Sequence, residues 1–182
     1  MTQALAFKIH RFKEIDSTNN AAFRFAAKGA VSGSVFLAEY QTKGRGKWGR
    51  EWVSARGKDL LFSILLYPTI KASQAAGITQ LACRSVAKVL EEKYGLSPAF
   101  KRPNDVLIQE RKICGILVES KGRANGKLES LVVGIGLNVN SLGKELFTGA
   151  TSVRKETGKR QARAPLLETL LDQLGKDLAC YF

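Results

Sequence analysis

The sequence predicts an α+β fold, a mixed or antiparallel β-sheet packed with helices, in one domain over residues 1–182. Three observations lead there. Strand-like segments outnumber helical ones, and Asn125-Gly126 joins two adjacent strands as a hairpin turn. The two clearest helices carry an apolar face, as helices laid on a sheet do. With 182 residues, 45% of them hydrophobic, the chain can bury one core but is cramped for two. That apolar fraction excludes disorder as its main description. No run approaches 18 apolar residues, so neither a membrane span nor an export signal is expected.

The elements follow in order. Alternation over 5–15 reads as a strand. Asp16-Ser17-Thr18-Asn19 is a cluster of N-cap residues ahead of Ala21, Ala22 and Phe23, so a helix starts there and fades near Gly29. A strand over 35–40 runs into a glycine-rich basic loop. The nearly continuous apolar run 59–67 is a buried strand stopped by Pro68. Ile78, Leu81, Ala82, Val86, Val89 and Leu90 recur at helical steps, which gives a helix over 73–94 ended by Gly95. Strands are expected over 99–102, 112–120 and 128–138, with a short turn over 109–111. Pro165 suits a first helical turn, and Leu166, Leu167, Leu170, Leu171, Leu174 and Leu178 form the core-facing stripe of a closing helix.

Charge is concentrated. The formal net charge is +13, and residues 41–58 hold Lys43, Arg45, Lys47, Arg50, Arg56 and Lys58 against Glu51 alone. Residues 154–163 hold five basic residues against Glu156. Such clusters suit anionic partners, although a solvated basic loop has the same composition. The three cysteines are odd in number and lack metal-ligand spacing, which fits reduced thiols in a cytoplasmic protein. His10 is the only histidine and has no nucleophile beside it in any known pattern. That argues against a Ser-His-Asp hydrolase and against a histidine metal centre.

What remains for chemistry is lysine, arginine, aspartate and backbone donors, an inventory suited to phosphoryl or nucleotidyl transfer. Gly44-Arg45-Gly46-Lys47-Trp48-Gly49 fits G-x-G-x-x-G, but a strand rather than a helix follows, which excludes a dinucleotide fold. The loop keeps bare backbone and four nearby cations that could surround phosphate. Lys101-Arg102-Pro103-Asn104-Asp105 ends a strand and reads either as a plain turn or as a place for an acid that holds Mg²⁺ or a phosphate-bound water. Lys112 opens the next strand. Gly134 and Gly136 interrupt an apolar strand, marking a bulge or the close approach of a ligand or another backbone.

These residues, taken together, resemble the biotin protein ligase family. Asp16-Ser17-Thr18-Asn19 and Glu39-Tyr-Gln-Thr-Lys-Gly-Arg-Gly-Lys-Trp-Gly-Arg-Glu-Trp52 are similar to the family's opening motifs. Lys101-Arg-Pro-Asn-Asp105, Arg111-Lys-Ile-Cys-Gly-Ile-Leu-Val-Glu119, Gly134-Ile-Gly-Leu-Asn-Val-Asn140 and Ala150-Thr-Ser152 continue the series over about residues 12–180. The resemblance is to the catalytic domain shared with lipoate ligases and octanoyl transferases. It implies that ATP and biotin give biotinyl-5′-AMP and pyrophosphate, and that a lysine of a biotin carboxyl carrier protein then takes the biotinyl group. Mg²⁺ would accompany ATP, with no metal site built by the protein. By position, Ser17, Thr18, Asn19 and Gln41 would bind the polar end of biotin or flank its pocket. Gly44, Arg45, Gly46 and Lys47 would close over biotin and the adenylate, and Gly115, Gly134 and Gly136 would wall the pocket. Arg50, Trp52, Asn104, Asp105 and Asn138 fall on the nucleotide side, and Lys112, Arg45 and Asp105 would carry the chemistry, with Lys112 bridging carboxylate and α-phosphate.

The chain departs from the pattern where Arg102 replaces the usual Trp and Lys47 the common Arg. It is also expected to lack the winged-helix segment that precedes some members and the small C-terminal β-domain of most. The expected partners are therefore biotin, ATP and the carrier protein, without DNA or membrane, and a homodimer is open. A lipoate or octanoate enzyme of the same fold, a nucleic-acid-binding module and a non-catalytic relative are the alternatives.

Overall fold

Apolar runs become the inner strands, and their alternation decides which face carries what. The structure, a computed structural model, describes residues 5–70, 74–122 and 128–181. β1 (Lys8–Phe12) is followed by α1 (Thr18–Ala26), β2 (Ser34–Ala38) and β3 (Leu60–Leu66). Next come α2 (Ala75–Tyr94), β4 (Pro98–Lys101), β5 (Asp105–Ile108), β6 (Arg111–Gly122) and β7 (Leu128–Leu137). The chain closes with α3 (Val153–Thr157) and α4 (Arg163–Leu178). Seven strands form one sheet in the order β1-β2-β3-β7-β6-β5-β4. β1 runs parallel to β2 and every other neighbouring pair is antiparallel, so the sheet is mixed, as expected.

One face of the sheet is covered by α2 and α4. Phe62, Ile64, Val133, Ile135, Cys114 and Ile116 join Ile78, Val86, Leu90 and the whole leucine stripe of α4 in one buried cluster. Those residues alternate with Ser63, Gly134, Gly136, Gly115 and Leu117, which therefore point to the opposite face. α1 covers only part of that face, through Ala21 and Ala22 packed with Phe36, Leu65 and Val132. The uncovered part carries the glycines.

Several expectations need correction. The first strand is shorter than 5–15, although Ile15 still bridges Gln41. The four-residue β5 was not expected as a strand; it pairs β4 and β6, and the expected turn beyond it uses Gln109 and Glu110 at positive φ. Asp105 accordingly opens a strand rather than sitting in a turn, beyond a cis Arg102–Pro103 bond. α3 was not foreseen, and Pro165 is the third residue of α4. The expected helix start at Ser73 and the Asn125-Gly126 turn lie outside the described residues. Gly95 does end α2, in the left-handed conformation at φ 64° that glycine adopts without strain. His10 stacks on Phe36 at 5.1 Å, a packing role. Cys83 and Cys114 are buried free thiols, and burial pushes Cys83 up to about 11. Among the described residues no helix is long and apolar enough to cross a membrane.

Candidate active site

The uncovered sheet face is the floor of a cavity of about 860 Å³. Its closed end is polar. Thr18 donates from both its backbone N–H (2.7 Å) and its hydroxyl (3.0 Å) to Gln41 Oε1. Ser63 Oγ lies 2.7 Å from Thr18 Oγ1 and 2.6 Å from Asn19 Oδ1, its one proton facing two acceptors. Asn19 Nδ2 donates to Glu119 Oε2 at 2.8 Å and to the Leu117 carbonyl at 3.2 Å. Asn19 packs so closely over Gly134 that a Cβ there would overlap its amide. The register through residue 134 is regular on both sides, so this glycine marks a close approach and not a bulge.

The open end is charged. Trp52 lies across the paired glycines Gly136 and Gly115, where a Cβ would come within 2.5 and 2.8 Å of its ring. Its indole N–H is buried without a hydrogen-bond partner, the kind of donor a bound ligand satisfies. Lys112 Nζ stands 2.7 Å from Asp105 Oδ1 and 5.3 Å from the Trp52 ring centroid. That ion pair is partly exposed, with the lysine side chain at 35%. The Lys112 backbone pairs along one edge with the 149–151 segment, its N–H donating to the Gly149 carbonyl (3.0 Å) and its carbonyl accepting from the Thr151 N–H (2.8 Å), while β5 lies along the other edge. Asn104 ties its turn to Ile116 (2.7 Å), and Asn138, buried, donates to the Thr151 carbonyl (2.9 Å).

Over this floor the basic loop folds as a narrow hairpin. Gly46 N–H donates to the Arg50 carbonyl (2.7 Å) and Trp52 N–H to that of Gly44 (3.0 Å). Trp48 forms the exposed tip at φ 58°, with Lys47 and Arg50 against its ring. Arg45 donates to Asn20 Oδ1 (2.6 Å) and pairs with Glu119.

All the residues singled out from sequence line this one cavity except Gly44. Gly44 sits at the hairpin base, where a side chain would strike the Trp52 carbonyl. Sequence reading missed Ser63, whose signal was a lone hydroxyl inside an apolar strand. It also missed the 146–150 segment, where exposed Phe147 reaches the cavity rim, and Glu119, which was read only as the end of a motif.

Residues 12–138 match the biotin/lipoate A/B protein ligase family. The chain belongs to that family. It is 34% identical over 161 residues to the bifunctional ligase/repressor BirA of Bacillus subtilis, covering 86% of this chain and 49% of the relative. It is 38% identical over 151 residues to biotin–[acetyl-CoA-carboxylase] ligase of Paracoccus denitrificans, covering 79% and 61%. The chain thus spans about half the length of the curated relatives it matches. Among solved structures, biotin protein ligase from Aquifex aeolicus in complex with biotin and ATP superposes with a TM-score of 0.77. That pair is 34% identical and covers 94% of this chain and 70% of that one.

Proposed function

We propose that this chain is an ATP-dependent biotin–protein ligase that makes biotinyl-5′-AMP and transfers biotin to a lysine of a biotin carboxyl carrier protein. The observation that carries the reading is one cavity with two chemically different ends: the Thr18, Asn19 and Gln41 web, backed by buried Ser63, and the Lys112, Asp105 and Trp52 corner. An acid with a polar head fits between them, its head on the web and its carboxylate at Lys112. A carboxylate and a triphosphate repel each other, so the attack on the α-phosphorus needs fixed cations. Lys112 supplies one at the junction. Arg45, Lys47 and Arg50 supply others from the loop, and Asp105 holds the lysine in place. The carrier lysine then attacks the acyl carbon and AMP leaves.

Mg²⁺ would enter on the ATP phosphates. The lining fits that role through Asp105, whose carboxylate stands at the charged end of the cavity. When bound, the ion would neutralise phosphate charge. The names of the relatives favour biotin over lipoate as the acid. The reading puts the enzyme in the cytoplasm and needs neither DNA nor membrane; a homodimer is compatible with it.

Calorimetry with biotin, lipoate and octanoate, each with and without ATP, tests it directly. Biotin should bind, ATP should tighten that binding, and pyrophosphate should appear. Tight binding of lipoate or octanoate instead would move the assignment to the related acyl enzymes, and no binding at all would leave only the fold.

A further inference from the structure

Glu119 stands at a junction that the reading above leaves unused. It lies on β6 two residues beyond Leu117, on the cavity face of the sheet but outside the cavity lining. One carboxylate oxygen accepts from Arg45 Nη2 and the other from Asn19 Nδ2 at 2.8 Å. Arg45 Nη1 meanwhile reaches Asn20 at 2.6 Å, so both terminal nitrogens of the guanidinium are tied to the α1–β6 corner beside the cavity. Asn19 is 3% exposed and is fixed on its other side by Ser63. A single carboxylate therefore ties the glycine loop to the polar end of the pocket.

We propose that Glu119 is a positioning residue: through Arg45 it pins the 44–52 loop over the cavity, and through Asn19 it orients the amide that meets the acid's polar head. Charge-assisted hydrogen bonds exceed neutral ones, so the Arg45 arm depends on the carboxylate charge. The Asn19 arm needs only an acceptor. Glu119→Gln separates the two, since it keeps an oxygen for Asn19 and turns an amide donor toward Arg45.

The test has two arms, and only the kinetic one rests on the proposed biotin-adenylating activity. In the ligand-free chain, hydrogen exchange over 44–52 should quicken about tenfold in Glu119→Gln while α2 and α4 keep parental protection, the scale of one charge-assisted hydrogen bond. In steady-state assays of adenylation, KM for biotin should rise about tenfold with kcat within about twofold. Glu119→Asp should recover part of both effects, and adding Glu119→Gln to Arg45→Ala should change nothing further. Unchanged loop exchange would overturn the proposal, as would additive effects in the double variant. If the parent forms no biotinyl-AMP, the functional reading fails and the exchange measurement still decides the role of Glu119.

Discussion

Lys112 gathers the site's electrostatics into one side chain. Its stem rises from a strand whose backbone is held on both edges, and its ammonium meets Asp105 at the cavity mouth. A cation that contacts the carboxylate first and the phosphate as charge develops contributes more to the transition state than to binding. Lys112→Ala should therefore slow biotinyl-AMP formation by about 10²–10³ and weaken biotin binding much less. Lys112→Arg should recover only part, because the guanidinium is broader and aimed differently. Single-turnover adenylation by both variants checks this, and a parental rate in Lys112→Ala would reduce the lysine to a solvated strand end. Gly134 offers the complementary steric case. A methyl group there would collide with the Asn19 amide, which cannot retreat without giving up Ser63 and Glu119. Gly134→Ala should lower biotin affinity by about tenfold or more in calorimetry; parental affinity would mean that Asn19 plays no part in the acid site.

Elements were legible in sequence to the degree that they bury an apolar face. α4 is the clear case: all six leucines of its stripe are buried. Leu170 is fully buried, so Leu170→Ala should cost about 2–5 kcal/mol in urea unfolding. The adenylation rate of the still-folded fraction should stay near parental, because α4 lies on the face opposite the cavity; a site-specific loss of rate would contradict that separation. β5 and α3 escaped notice for the opposite reason. Each is four or five residues long, too short for periodicity to register. Most residues of the glycine loop line the cavity, and the segment was legible as a loop. Its hairpin form was not, since cross-loop bonds such as Gly46 to Arg50 leave no mark on composition. Lys112 and Gly134 were visible as single residues. Their partners Asp105, Asn19 and Ser63 came together only through sheet register.

At the scale of the whole molecule, the cavity exists because helices cover one sheet face fully and the other in part, and Asp59 holds the two halves of that arrangement together. It precedes β3 and is 2% exposed. Oδ1 accepts from the backbone N–H groups of Val139 (2.8 Å), Asn140 (3.3 Å) and Ser141 (3.3 Å), and Oδ2 from Ser141 Oγ (2.5 Å). Its own carbonyl accepts from Arg163 (3.1 Å), at the start of α4. The carboxylate thus anchors the segment leaving β7, directly after Asn138, while its backbone anchors the closing helix. Burial pushes its pKa above the ordinary 3.8, and the hydrogen bonds from Ser141, Val139 and Asn140 only partly oppose that. For an acid whose folded pKa is raised, the stabilising contribution is complete below the unfolded value and is lost as pH rises through the folded one. Asp59→Asn keeps an acceptor for the three N–H groups and cannot ionise. The stability of the parent relative to Asp59→Asn should therefore decline as pH climbs from 3.8 toward neutrality, measured by urea unfolding at each pH. Asp59→Ala strips the acceptor from three buried donors and should lose about 3–5 kcal/mol at acid pH, and less as pH rises, because alanine cannot ionise either. If the parent instead gains on Asp59→Asn as pH rises, the three backbone donors outweigh burial and the anion itself is the anchor.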